Sequence, residues 1–109
     1  MIVRSVEACD LPQLAALYEQ FWGEPSYPEK MASQLENLER KGSHIVLCAA
    51  EGDQLLGSVM GVVCEELYGD CRPFLVAENM IVDRDCRRGG VGRALLAELE
   101  NHARQRGCT

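Results

Sequence analysis

Apolar positions along this 109-residue chain change period several times, and each change marks an element. Leu14, Leu17, Tyr18 and Phe21 recur at three- and four-residue spacing, as one buried helix face requires. Asp10 before Leu11-Pro12-Gln13 offers an N-cap, a first-turn proline and a capping-box Gln. A helix is therefore predicted over 11–22, stopped by Gly23-Glu24-Pro25. Ser26-Tyr27-Pro28-Glu29 repeats the same start, with Ser26 as the cap. The second helix should run to Lys41, with Met31, Leu35 and Leu38 inward and Gly42 as its left-handed stop. Glu36, Glu39, Arg40 and Lys41 read as its solvated face.

Strand patterns fill most of the remainder. Residues 1–7 alternate and predict a short first strand. His44 to Ala50 is a near-continuous apolar run, Glu51-Gly52-Asp53-Gln54 has turn composition, and Gln54 to Glu66 reads as the hairpin partner. Gly57 and Gly61 inside that strand point to bulging or to close approach by other atoms. Tyr68 to Pro73 is a loop, and Phe74 to Val82 a fourth strand. A third helix opens in the glycines that follow and runs to about Arg106. Its inward set is Val91, Leu95, Leu96, Leu99 and Ala103, with Gly107 as terminator. The order β-α-α-β-β-β-α places residues 1–109 in one α/β (α+β) domain with at least three sequentially paired antiparallel strands.

Charge narrows the partners. The formal net charge is −6, and nucleic-acid binding calls for a basic footprint. The one basic cluster, Arg84, Arg87, Arg88 and Arg93, suits a small phosphorylated ligand better than a duplex. Glu19, Glu24 and Glu29 are candidates to frame a cationic partner. No apolar run approaches the roughly 20 residues of a membrane span, and no basic-then-apolar leader opens the chain. The six cysteines form no C-x-x-C pair, and His44 and His102 lie far apart. Reduced, structural thiols in a cytoplasm are expected, with no metal site. His44 opens a strand and reads as a surface or capping residue.

The chemistry concentrates between Val82 and Leu96, where an apolar strand ends in Asp83-Arg84-Asp85-Cys86 and then Arg87-Arg88-Gly89-Gly90-Val91-Gly92-Arg93. A strand, a glycine-rich turn and a helix N-terminus make a phosphate site. Glycines let the backbone approach a ligand, and the first-turn N–H groups lack intrahelical partners. The alternative is that these glycines only permit tight packing. The turn has neither the Lys-Ser/Thr of a nucleotide P-loop nor the G-x-G-x-x-G of a dinucleotide fold.

Motif and element order together resemble the GNAT superfamily of acyl-CoA-dependent N-acetyltransferases. Its turn runs Arg or Gln, two residues, Gly, one residue, then Gly or Ala; here it is Arg87-Arg88-Gly89-Gly90-Val91-Gly92. Ala77-Glu78-Asn79-Met80-Ile81-Val82-Asp83 is similar to the family's fourth strand. The resemblance implies a mixed, mostly antiparallel sheet flanked by helices, and transfer of acetyl from acetyl-CoA to a primary amine of a small molecule or peptide. It implies that amides from Arg88 through Gly89, Gly90, Val91 and Gly92 to Arg93 bind the CoA pyrophosphate, with Arg87 at the edge of the loop. Met80, Ile81 and Val82 would hold the pantetheine arm, Met80 donating its amide to the thioester oxygen. Glu78, which strict alternation puts on the face opposite Asn79, would relay the amine proton through water or order the strand. The family's usual later strand and helix, with the tyrosine that acts as acid, have no counterpart by motif, and Tyr18, Tyr27 and Tyr68 lie in other segments. Three readings stay open: a piece of a longer enzyme, a homodimer completing its sheet with another copy, or a non-catalytic acyl-CoA-binding or dimerising module.

Overall fold

A computed structural model describes residues 1–87 and 89–109. Arg88, one of the residues expected in the phosphate site, lies outside the described residues. The elements are β1 (Ile2–Ser5), α1 (Leu11–Trp22), α2 (Pro28–Lys41), β2 (His44–Glu51), β3 (Gln54–Cys64), β4 (Phe74–Val82) and α3 (Val91–Gln105). Among the described residues the sheet has four strands in the order β1-β2-β3-β4, and every pairing is antiparallel. The expected mixture of parallel and antiparallel strands is thus absent from these residues.

Two apolar layers cover the two sheet faces. On one face Leu11, Leu14 and Leu17 of α1 pack on Val6, Cys48, Leu55 and Ile81, with Met31 and Leu35 of α2 at the fringe. On the other, Val91, Leu95 and Leu99 of α3 meet Ile45, Leu47, Ala49, Leu56 and Val59. The 3.6-residue period of α3 selects that trio. Leu96, expected to face inward with them, is 43% exposed, because one step of about 100° turns it off the buried stripe.

Helix starts differ from the capping pattern. Asp10 has helical dihedrals at the end of a short 3-10 turn, Ala8–Asp10, and makes no side-chain cap to α1. Its carboxylate instead takes both guanidinium nitrogens of Arg4, at 2.7 and 2.9 Å, and accepts from the Glu7 amide at 2.8 Å. Asp10 is buried, and a buried carboxylate goes to the strongest donors in reach. Gln13 does not close a capping box either. Its amide nitrogen donates to the Asp53 carbonyl at 2.6 Å and its oxygen accepts from the Leu55 amide at 2.9 Å, tying α1 to the β2–β3 turn. Ser26 does not cap α2, which starts after Tyr27 with Pro28 in its first turn. The C-terminal stops hold: Gly23 and Gly42 are left-handed, with amides on the carbonyls of Glu19 and Leu38.

Gly57 and Gly61 have packing reasons. A Cβ on Gly57 would sit 2.7 Å from the Ile81 carbonyl oxygen and 3.0 Å from Val91 Cγ1. One on Gly61 would sit 2.5 Å from Leu99 Cδ1. Both absences let α3 settle on the sheet, and the first also brings β4 close to β3.

Candidate functional site

The site is built where β4 ends and α3 begins. β4 pairs with β3 from Phe74 to Glu78 and again at Ile81 and Val82, but the register shifts between Ser58 and Met60. Glu78 opposes Met60 and Ile81 opposes Ser58, so Asn79 and Met80 together face the single residue Val59. This is a β-bulge, and Asn79 carries it with φ of 54°, a left-handed conformation that Asn tolerates better than most residues. Its consequence is a change of phase. Glu78 and Ile81 are three residues apart, yet both lie on the α1–α2 face, Glu78 beside Met60 and Ile81 within the core there. Met80 and Val82 pack with the α3 layer. Asn79 borders a cleft with Tyr18, Trp22 and Ser26 on the α1–α2 side. The expected placing of Glu78 and Asn79 on opposite faces therefore fails, because the bulge breaks the alternation on which it rests.

Beyond Val82 the chain is pinned at several points. The Asp83 amide donates to the Leu56 carbonyl at 2.8 Å, and the Asp83 carboxylate accepts from the Asp85 amide at 2.9 Å, opening a 3-10 turn over Arg84–Cys86. The Arg84 amide donates to Gln20 Oε1 of α1 at 3.0 Å. Arg87 folds back over α1: its Nε donates to the Val82 carbonyl at 3.4 Å and its guanidinium stands 5.4 Å from the Phe21 ring centroid. Two contacts to α1 thus fix where the loop presents its charge. Cys86 is half-buried against the α3 layer, and desolvation, with Asp83 and Asp85 adding, pushes its thiol up. It stays a protonated structural thiol, not a nucleophile.

The glycines of the turn are not there for packing. Gly90 has φ of 80°, and among the described residues nothing lies within 4 Å of a Cβ built on it, while a Cβ on Gly92 would meet Val82 Cγ2 at 3.9 Å. Gly90 serves a left-handed turn into α3. Gly92 leaves the first helical turn bare on its outer side. Helix geometry leaves the amides of Val91, Gly92 and Arg93 without intrahelical acceptors, while the Ala94 amide already reaches the Gly90 carbonyl at 3.0 Å. The Gly89 amide is used internally, donating to the Cys86 carbonyl at 3.2 Å. A hollow of about 290 Å³ lies beside this loop, lined by Arg84, Asp85, Cys86, Arg87 and Gly89. Arg84 and Arg87 line this hollow together with Asp85, and the first turn of α3, with its dipole and unpartnered helix amides, follows it in the chain; a helix start beside two arginines suits an anionic phosphate group. Beside it runs the outer edge of β4, which pairs with no strand among the described residues.

Comparison with known proteins settles the family. The model of the acetyltransferase (GNAT) family matches residues 11–109. The chain belongs to the GNAT acetyltransferase family. A search of curated proteins finds no match. Among solved structures, this GNAT chain is similar to a ribosomal-protein-alanine N-acetyltransferase from Brucella melitensis at 30% identity, with a TM-score of 0.72 over 98% of this chain and 69% of that one. It is similar in fold to glucosamine-6-phosphate N-acetyltransferase from Arabidopsis thaliana, with 19% identity, a TM-score of 0.89, and 98% and 76% of the two chains covered. An aminoglycoside 6'-N-acetyltransferase from Acinetobacter haemolyticus superposes with a TM-score of 0.80 at 20% identity, covering 100% of this chain and 75% of that one.

Within this GNAT domain, the expected residues Glu78, Met80, Ile81, Val82, Arg87, Gly89, Gly90, Val91, Gly92 and Arg93 lie from the β4 bulge to the first turn of α3, with Glu78 and Ile81 toward the α1–α2 face and Met80 and Val82 toward α3. The sequence reading missed the neighbours that α1 brings to the bulge. Tyr18 and Trp22, with ring centroids 5.4 Å apart, stand with Asn79, Glu24, Pro25 and Ser26 around a cleft of about 350 Å³. Burial pushes the Tyr18 hydroxyl up, so it stays protonated. Of the three carboxylates considered as a cationic frame, Glu24 lines the cleft, and Glu19 and Glu29 do not. A helical pattern reports that Tyr18 faces the sheet; the bulge opposite it has no comparable sequence signal.

Proposed function

We propose that this GNAT domain transfers the acetyl group of acetyl-CoA to a primary amine of a small molecule or peptide by direct attack. The observation that carries the reading is the bare first turn of α3. Gly90 and Gly92 leave space where packing asks for none, beside orphan amides and Arg87. On this reading the amides from Gly90 to Arg93 receive the pyrophosphate, with Arg87 and Arg84 adding charge. The Gly89 amide joins them only by releasing Cys86. Acetyl-CoA supplies an activated acetyl thioester, and the β4 edge at Met80, Ile81 and Val82 offers backbone groups to its pantetheine arm.

The amine nitrogen forms a bond to the thioester carbonyl carbon, the carbon–sulfur bond breaks, and the thiolate leaves to take a proton. Negative charge builds on the carbonyl oxygen, and a preorganised Met80 amide would stabilise it. A protonated amine cannot attack, so one proton must leave first. Glu78, exposed on the α1–α2 face, is the carboxylate to accept it through water. Six free cysteines, with Cys48 wholly buried and its thiol pushed up to about 11 by desolvation, accord with a reducing cytoplasm.

Thiol release from acetyl-CoA, followed across an amine panel, tests the proposal. The expected result is amine-dependent thiol release. CoA binding without release for any amine would instead favour a non-catalytic acyl-CoA-binding module.

A further inference from the structure

Acetyl transfer leaves one sizeable hollow of the described residues without a role. Between α1, α2 and the sheet lies a groove of about 490 Å³, whose walls include Leu14, Met31, Leu35, Leu38, Val46 and Met60. α2 contributes apolar side chains to it while burying no residue fully. The volume falls within the range of small-molecule sites. Tyr18 and Ser26 line both this groove and the Glu24 cleft beside Asn79, so the two hollows adjoin at these residues.

Charge is distributed unequally along this path. The groove lining holds no carboxylate, and Lys30 stands at its wall, its ammonium 5.1 Å from the Tyr27 ring centroid. The cleft lining holds Glu24 and no cation. Trp22, 52% exposed, and Tyr18 add aromatic faces there, which attract an ammonium group as a carboxylate does. A ligand with a positive head and an apolar body meets complementary surroundings in one orientation only, with its head at the bulge of β4 and its body under α2.

We propose that the acceptor is an amphipathic amine: an ammonium head held by Glu24, Trp22 and Tyr18 next to Asn79, carrying an apolar body that fills the α1–α2 groove. The inference rests on the acetyl-transfer reading for calling this ligand an acceptor, but its binding can be measured without CoA. Trp22 is the only tryptophan of the chain, so its emission reports directly on the cleft. The experiment titrates the intact chain with n-butylamine, n-hexylamine, n-octylamine, 1-octanol and octanoate. Saturable changes in Trp22 emission are expected for the amines, with affinity rising roughly fourfold per methylene. Octanoate should bind at least about tenfold more weakly than octylamine, since opposite charge at Glu24 is lost. Glu24→Gln should weaken octylamine and leave 1-octanol unchanged, and Leu35→Gln should weaken octylamine more than butylamine. The length series on the unaltered protein needs no variant to fold. Affinity that is flat in chain length, or octanoate binding as tightly as octylamine, would overturn the inference. Ordered amine binding with no thiol release from acetyl-CoA would uphold the ligand class and reject acetyl transfer. Acetylation of short hydrophilic amines with no preference for length would do the reverse.

Discussion

At the residue scale, the roles of individual carboxylates separate cleanly by environment. Asp10 is buried, with Arg4 taking both oxygens, and the Arg4 hydrogen bonds hold its carboxyl below the usual value of 3.8 despite desolvation. A group whose folded value is depressed contributes stability that is present above its unfolded value and is lost as pH falls through the folded value. Denaturant unfolding should therefore show the Asp10 contribution at neutral pH and its loss below about pH 4. Asp10→Asn should cost about 2–3 kcal/mol at pH 7, and the gap from the unaltered protein should close in acid. A constant gap down to pH 2 would show that the ion pair is not its source. Asp10, with its oxygens committed, is also a poor ligand for a cation, although Glu7, Cys9 and Asp10 cluster within 4.8 Å. Glu78 is the opposite case: exposed and beside the bulge. Glu78→Gln should lower kcat by about 100-fold while leaving the KM for acetyl-CoA and the unfolding midpoint unchanged. A shifted midpoint with unchanged kcat would reassign Glu78 to ordering the strand.

At the element scale, the strip from β4 to α3 depends on how closely its neighbours approach. Gly57 is packed against the Ile81 carbonyl and Val91, the residues that set the end of β4 and the start of α3. Gly61 faces only side-chain ends, Leu99 and Leu75. A methyl at 57 must displace backbone, whereas one at 61 displaces rotatable carbons. Gly57→Ala should cost about 3 kcal/mol and Gly61→Ala about 1 kcal/mol. Gly57→Ala should also weaken CoA binding, because the β4 end and the helix start move together. Equal costs in thermal unfolding would contradict this division.

Helices and strands were readable in the sequence where period and stop agreed. α1 and α2 end at Gly23 and Gly42 as the pattern requires, and β4 runs from Phe74 to Val82. Starts were less readable, because Asp10 and Gln13 found tertiary partners that outcompete a local cap. The bulge was invisible for a different reason. Asn79 adopts its left-handed conformation within a run that otherwise reads as strand, and one skipped residue reverses the faces of all that follow. The glycine turn into α3 was the easiest part of the candidate site to locate in the sequence, since Gly90 adopts the left-handed conformation that glycine favours. The cleft proposed for the acceptor was the least legible, since it depends on α1 and β4 meeting across the fold.

At the scale of the whole molecule, the proposed donor and acceptor sides lie on different supports. The proposed phosphate surface is carried by the end of β4, the 3-10 turn and the start of α3, with Arg84 and Arg87 tied to α1 through Gln20 and Phe21. The proposed acceptor path is carried by α1 and the lightly buried α2, the element best able to adjust to a ligand. The central claim is that the glycine turn receives the pyrophosphate of CoA, and calorimetric titration with CoA and with pantetheine, which lacks that group, tests it most directly. CoA should bind in the micromolar range and pantetheine about 100-fold more weakly, the difference that losing two charge-assisted hydrogen bonds produces. Equal affinities for the two, or no heat with CoA at millimolar concentration, would contradict the account.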